Sequence, residues 1–473
     1  MQDNSYRNDR DEIRDLLKQF ENLKAGLLHG FLEEESFEKI IDYYDEKDEI
    51  GRALEAAEFG VAQFPYSSSL LVKKADLLIA TRRYQEALEL LEKAEVLDSS
   101  DIDIYILKTD AYLALDQHEL AVGLLEEAIA QFEGDNRINL LFELSDVYDD
   151  YEEFDKVFDC LVHILEYDPI NEEALYKICF WTDFTGRGEE SIAVHRRIID
   201  EYPYNELAWF NLGAAYQGIK LFEKSIDAYK YALAINEKFD YAYRNMADAY
   251  IRLRKFRDAI ESLEKVIELA RPEDVIYEAI GYCYDKLKQY AQARFYYKKA
   301  SHLNNDDSKL YFKIACTYMN EQSFSKALQY LESAMRIHRM QPEYNLAMGE
   351  CLQQLGNIRD AIIHFSNVVK ARPRGVSGWE ALIRCLYAED FLTEAFEQIK
   401  NAQEVAGDKP LFLFYESATL FAMKKSKEAL VVLQKAMERA PRLLKKFVGL
   451  NPTILQNQQV VDLIAYYKRK RSI

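Results

Sequence analysis

The sequence is poor in residues that break regular structure and has no long apolar run. Nine prolines and 17 glycines among 473 residues leave long intervals without a turn signal, which excludes a β architecture punctuated every ten residues or so. No strand-like alternation of useful length competes with helical spacing. No segment approaches 18 consecutive apolar residues, so a membrane-crossing helix is not expected. The opening stretch, Met1 to Arg14, is polar and carries Asp3, Arg7, Asp9, Arg10, Asp11 and Glu12; a signal peptide is not expected there. Base is also in deficit: 60 Lys and Arg stand against 81 Asp and Glu, a net charge of −21 and a pI near 5.0. That balance argues against a general nucleic-acid binder or a protein of anionic membranes, and it suits a basic or neutral partner.

The usual marks of chemistry are missing as well. There is no G-x-x-x-x-G-K-[ST], no H-E-x-x-H, no G-x-S-x-G and no glycine-rich dinucleotide turn. The histidines His29, His118, His163, His195, His302, His338 and His364 include no pair four residues apart, the spacing that puts two ligands on one helix face. Acidic runs such as Asp45 to Glu49 lack the glycine of a calcium loop. Cys160, Cys179, Cys283, Cys316, Cys351 and Cys385 contain no C-x-x-C pair. They read as small packing residues in a reducing compartment rather than a metal or disulfide ladder. The expectation is a cytoplasmic protein with no catalytic residue, metal or cofactor.

What the chain does have is a sentence written repeatedly. Trp209, Leu212, Gly213, Tyr216, Ser225, Tyr229 and Ala232 return 34 residues later as Tyr243, Met246, Ala247, Tyr250, Ala259, Leu263 and Val266. From Ser225 the same step gives Ala259, Ala293, Ala327, Ala361, Ala395 and Ala429. Backward it gives Ser191 and Val157, then a step of 36 to Ala121, then Ala87 and Ala53. Repeats therefore start near Glu34, Ser68, Ile102, Ile138, Glu172, Glu206, Asp240, Asp274, Ser308, Pro342, Val376 and Pro410. Prolines provide an independent check, because one inside a helix costs about 3 kcal/mol. Pro65, Pro169, Pro203, Pro272, Pro342, Pro373, Pro410 and Pro441 all fall between repeats, and Pro452 follows Asn451, a good helix cap. Gly134 and Asp135 place the two extra residues of the 36-residue step in an inter-repeat turn. The turn Thr185-Gly186-Arg187-Gly188 lacks the large residue found elsewhere and is expected to be loose.

This period and its small and large positions resemble the tetratricopeptide-repeat family, over about nine-tenths of the chain, and the style is similar to multi-repeat proteins of Bacteroidetes bacteria. The resemblance implies an all-α solenoid: a right-handed superhelix of about twelve helix-turn-helix repeats over residues 34–443. Length alone would suggest about three globular domains, but neighbour-to-neighbour packing favours one repeat domain. Residues 1–33 would hold a capping helix built on Ile13, Leu16, Leu17, Phe20 and Leu23. Residues 444–473 would hold a second, with an apolar stripe of Val460, Val461, Leu463, Ile464 and Tyr467 before the basic tail Lys468-Arg469-Lys470-Arg471, which complements a helix dipole.

In that family the first helices line a concave groove. Carrying the family's groove register onto this chain puts Glu35, Glu38, Asp42, Asp45, Glu46, Asp76, Asp103, Asp110, Asp146, Asp149 and Asp150 in the first four repeats, with no lysine or arginine. The middle repeats present Tyr176, Phe180, Phe184, Phe210, Tyr241, Tyr282 and Phe312 with Arg244, Arg252, Lys286 and Lys309. The large groove residues could equally pack on neighbouring ridges. The family's clamp for C-terminal carboxylates is incomplete here: Arg244, Lys309 and Lys313 are present, but Ala279 and Asp248 stand where asparagines are required. The expected function is a non-enzymatic scaffold holding another protein's basic or amphipathic segment in the groove. Nucleic acid and membrane are not expected partners. The competing expectation is a regulatory or sensing subunit that docks an enzyme through its convex face or edges.

Overall fold

A computed structural model describes residues 2–25, 31–271 and 273–469; the junction proline Pro272, His29, and Lys470 and Arg471 of the basic tail lie outside them. Among the described residues there is no strand. The chain forms two compact units, Met1–Ala242 and Tyr243–Ile473. In the first unit the helices are α1 (Gln2–Lys24), α2 (Glu34–Asp45), α3 (Ile50–Gln63), α4 (Ser68–Ala80), α5 (Tyr84–Leu97), α6 (Ile102–Ala114), α7 (His118–Gln131), α8 (Gly134–Asp150), α9 (Phe154–Tyr167), α10 (Glu172–Thr185), α11 (Gly188–Glu201), α12 (Glu206–Gly218) and α13 (Phe222–Ile235). α14 (Asp240–Arg252) spans the division. The second unit continues with α15 (Phe256–Leu269), α16 (Asp274–Lys286), α17 (Tyr290–Leu303), α18 (Ser308–Asn320), α19 (Phe324–Ile337), α20 (Pro342–Gln354), α21 (Ile358–Ala371), α22 (Val376–Ala388), α23 (Leu392–Val405), α24 (Pro410–Ala422), α25 (Ser426–Arg439), α26 (Leu444–Leu450) and α27 (Gln458–Arg469).

Each repeat is a pair of helices, and the local chemistry explains where they start and turn. Ser67, Asp101, Asn171, Asn205 and Asp307 cap first helices by accepting a hydrogen bond from a backbone N–H two or three residues on, worth about 1 kcal/mol each. The turn into each second helix uses one left-handed residue at the same repeat position. Ten of these are not glycine, from Asp48 (φ 59°) and Arg82 (φ 63°) to Lys424 (φ 63°), and Gly186 and Gly356 complete the series.

Where the two helices of a repeat touch, the small residue that marks the period is buried without exception: Ala53, Ala87, Ala121, Ala259, Ala293, Ala327, Ala361, Ala395 and Ala429 are all 0% exposed, and Val157, Ser191 and Ser225 at most 1%. The ends are closed as the apolar spacing suggests. Phe20 of α1 meets Phe37 and Phe59 edge-on at 6.2 and 5.8 Å. Phe447 of α26 is buried against Phe414 and Phe421. Asn451 accepts from the Thr453 N–H and opens a 3-10 turn at Pro452. In α27, Val460 and Ile464 are buried, whereas Val461 lies on the outer side, 37% exposed.

One expectation requires correction. The two extra residues of the 36-residue step do not sit in a turn: Gly134, at φ +61°, opens α8 itself, which is lengthened to 17 residues. At the turn of Gly186, Arg187 bonds Glu190, the Asp155 carbonyl at 3.0 Å and the Asp159 carboxylate at 2.7 Å. What is unusual in this repeat is that α10 packs closely on α9 and α12 but only lightly on its own partner α11. Asn211 of α12 donates to the Leu175 carbonyl of α10 at 2.7 Å. Between α10 and α11 lies a buried polar chain, Thr182 to Ser191 at 3.0 Å, with His195 Nδ1 donating to the Ser191 carbonyl at 2.8 Å.

Candidate functional site

The first helices of the first unit carry a row of carboxylates at one repeat position, because that position faces away from the second helices. Asp42 of α2, Asp76 of α4, Asp110 of α6 and Asp146 of α8 are all exposed. The row is not free of base, however. Lys73 pairs with Asp42 and Lys177 of α10 lies 3.6 Å from Asp146, while Lys39 bridges Glu12 and Glu35. These lysines reach in from neighbouring repeat positions, which a count of residues at the groove register alone cannot register.

Asp76 and Asp110 remain without a salt bridge, and both carboxyls are held above the usual range. The first cause is the surrounding protein, and the second is like charge: Asp45 and Asp103 act on Asp76, partly offset by Lys73, and Asp76 acts on Asp110. Their surface remains open to water, so the desolvation reflects flanking protein mass rather than loss of contact with solvent. Glu143 of α8 behaves alike, raised by partial burial and then by Asp110 and Asp146. Sequence reasoning missed Glu143. It enters the row because it precedes Asp146 by three residues, one helical turn away on the same face of α8.

One helix further on, the same repeat position is aromatic. Tyr176, Phe180 and Phe184 follow one another at i, i+4 and i+8 on α10 and are 64%, 60% and 57% exposed. They form a single ridge. Phe180 and Phe184 stack at 5.8 Å, and Trp181 and Phe154 support them from behind, with Phe154 edge-on to Phe184 at 4.8 Å. Lys177, between the ridge and the acids, lies over the Phe142 ring at 4.8 Å.

The remaining expected residues divide. Phe210 is half-buried against Tyr229 and Phe239, at 5.7 and 4.9 Å, so it is packing in large part. Tyr241 is 62% exposed and meets Phe239 at 6.5 Å. In the second unit, Arg244 is held by Glu273 through two bonds of 2.8 and 3.1 Å. Tyr282 is half-buried, with Lys286 over its ring at 4.9 Å. Phe312 lies against Tyr344 at 4.9 Å, and Lys309 is exposed. Lys313 pairs with Glu278, so two of the three bases of the incomplete carboxylate clamp are already engaged.

Reactive groups are scarce. The six cysteines are free, and burial pushes every thiol up, Cys179 and Cys385 to about 11 and Cys160 and Cys283 to about 12, the opposite of an activated thiolate. Among the described residues no cluster of His, Cys, Asp and Glu is arranged to hold a metal ion, and no helix is long and apolar enough to cross a membrane.

Comparison with known proteins gives two family matches: a profile described as Tetratricopeptide repeat over residues 39–102, and one described as Tetratricopeptide repeat protein 21 C-terminal ARM domain over residues 216–355. Anaphase-promoting complex subunit 7 of Homo sapiens is 25% identical over 133 residues, 28% of this chain; the chain spans only 24% of that relative's length. Among solved structures, the C-terminal part of a repeat-containing protein from Cytophaga hutchinsonii is 19% identical, covering 54% of this chain and 99% of that one, with a TM-score of 0.44. YrrB, described as having an unusual peptide-binding site, is 18% identical, covering 40% and 96%, with a TM-score of 0.36. The Cut9-Hcn1 hetero-tetramer is 11% identical, covering 84% and 96%, with a TM-score of 0.35.

Proposed function

We propose that this tetratricopeptide-repeat protein is a non-enzymatic scaffold that binds a segment of another protein on the first-helix face of its first unit. The observation that carries this is the α10 ridge: three aromatic side chains in line, each more than half exposed, on the helix that follows a row of first-helix carboxylates of which Asp76, Asp110 and Glu143 have no salt bridge. Leaving such a surface bare costs the free protein solvation and charge repulsion, and a partner offering apolar and basic groups recovers both. Acid would steer the encounter and the ridge would hold the complex.

The alternative is docking through second helices. It is favoured by a cleft of about 700 Å³ between α19 and α21, floored by Met335, Met348 and Leu352 and edged by Ile363, which is 57% exposed. A photo-crosslinking residue placed at Phe180 or at Ile363 separates the two. With a purified binding partner, adducts at position 180 support the scaffold groove. Adducts confined to position 363 overturn it in favour of the second-helix face.

A further inference from the structure

The spacing of the carboxylates constrains what can lie along them. Asp42 pairs with Lys73, and Asp146 shares Lys177 with Glu173, so the row that stays without a salt bridge is Asp76, Asp110 and Glu143, one on each of the consecutive first helices α4, α6 and α8. α4 touches α6 and α6 touches α8 directly, and packed helices stand about 8–10 Å apart. An extended or polyproline chain advances about 3.1–3.4 Å per residue, so three residues cover roughly the same 9–10 Å. The polyproline form also turns once every three residues, which keeps every third side chain on one face. Phe180 is on the next first helix, at the repeat position of Asp146, with Tyr176 and Phe184 a turn to either side.

We propose that the α10 aromatic ridge and the row Asp76–Asp110–Glu143 receive an extended partner segment with Lys or Arg at every third residue. A large apolar residue takes the next step, against Phe180. This rests on the reading of the first-helix face as the docking face, and it adds the chemistry and register of the occupant. Charge complementarity sets the basic residues. The ridge sets the apolar end, because α10 is the first helix in the row to replace the acid with an aromatic ring. Lys177 marks the transition by lying over Phe142 between the two zones. A compact globular partner would touch the ridge without threading the row, and a partner with one basic cluster would satisfy one carboxylate and leave the others bare.

The test uses the full chain and synthetic labelled peptides of one composition: three lysines and one phenylalanine in a neutral background. In the first peptide these four residues fall at every third position; in its isomers they fall at every second, every fourth or every seventh. Fluorescence anisotropy should give the three-residue spacing an affinity about tenfold or more above each isomer, the value of one well-placed charge-assisted contact. Asp110→Asn should remove most of that preference, with its thermal melt confirming that the fold is kept. Equal affinity of all isomers, or preference for the seven-residue spacing of a helix, overturns the extended register. If the isomers bind equally but all are weakened by Phe180→Ala with Phe184→Ala, the register fails and the docking face stands. If no peptide binds, or binding ignores these substitutions, both fail.

Discussion

Gly213 of α12 lies so close to the Tyr229 ring of α13 that a β-carbon at position 213 would sit 2.6 Å from it. The same pair recurs as Gly281 with Tyr297, at 2.6 Å, and Gly349 with Phe365, at 2.5 Å. Where the first position is alanine, as in Ala75, Ala247 and Ala315, the second is leucine: Leu91, Leu263 and Leu331. These six repeats fill the same space, dividing it differently between two helices.

That complementarity makes Gly213→Ala destabilising by about 1–3 kcal/mol through overpacking. Tyr229→Leu alone should also destabilise, since it opens a cavity and removes the bond from the Tyr229 hydroxyl to Gln217 at 3.1 Å. The double variant recreates the alanine–leucine pair of other repeats and should be less harmful than the sum, with a coupling of at least about 0.5 kcal/mol in urea melts. Strict additivity would mean the two side chains do not share the space.

Backbone strain offers a second test at Lys220, an exposed residue at φ +64°. Lys220→Gly relieves the left-handed conformation, worth about 1–2 kcal/mol, against an entropic cost of about 0.4–1 kcal/mol. A small net gain in denaturant midpoint is expected, and Lys220→Val should lose stability.

His195 predicts a pH dependence. It is fully buried, and burial lowers its pKa from 6.5 to about 4. Between those values the unfolded chain binds a proton that the folded chain refuses. The contribution of neutral His195 is therefore complete above about pH 6.5 and is lost as pH falls toward 4, at up to about 1.4 kcal/mol per pH unit. His195→Leu, the residue at this position in repeats with Leu91 or Leu263, removes that titration. The stability difference between variant and native protein should move in favour of leucine from pH 7 to pH 5, and a constant difference would contradict the assignment. Comparing the two proteins cancels the opposite effect of Asp76, Asp110 and Glu143, whose raised carboxyls are relieved as pH falls.

The acidic row should cost stability in the free protein. Asp76→Asn with Asp110→Asn is expected to stabilise the fold at low salt by about 0.5 kcal/mol, a size suited to exposed charges, and the gain should shrink as salt screens the repulsion. Thermal melts at two salt concentrations check this.

The helical pairs were legible in the sequence because their causes are local or nearest-neighbour. Proline exclusion, caps, and one small residue per repeat where two helices touch all recur every 34 residues, and each acts within a repeat or on its neighbour. The exposed ridge was legible for the same reason, since Tyr176, Phe180 and Phe184 share a helix face. Which charges stay open was not. Lys73 reaches Asp42 across 31 residues, and Lys177 reaches Asp146 from the next first helix. Long side chains select their partners only after the helices pack. Tertiary structure also decided that the extra residues at Gly134 lengthen α8, and that Phe210 and Phe312 are half-buried while Phe180 stays 60% exposed. The period specifies which helices are neighbours. The fit of particular side chains between them decides which groups are left for a partner.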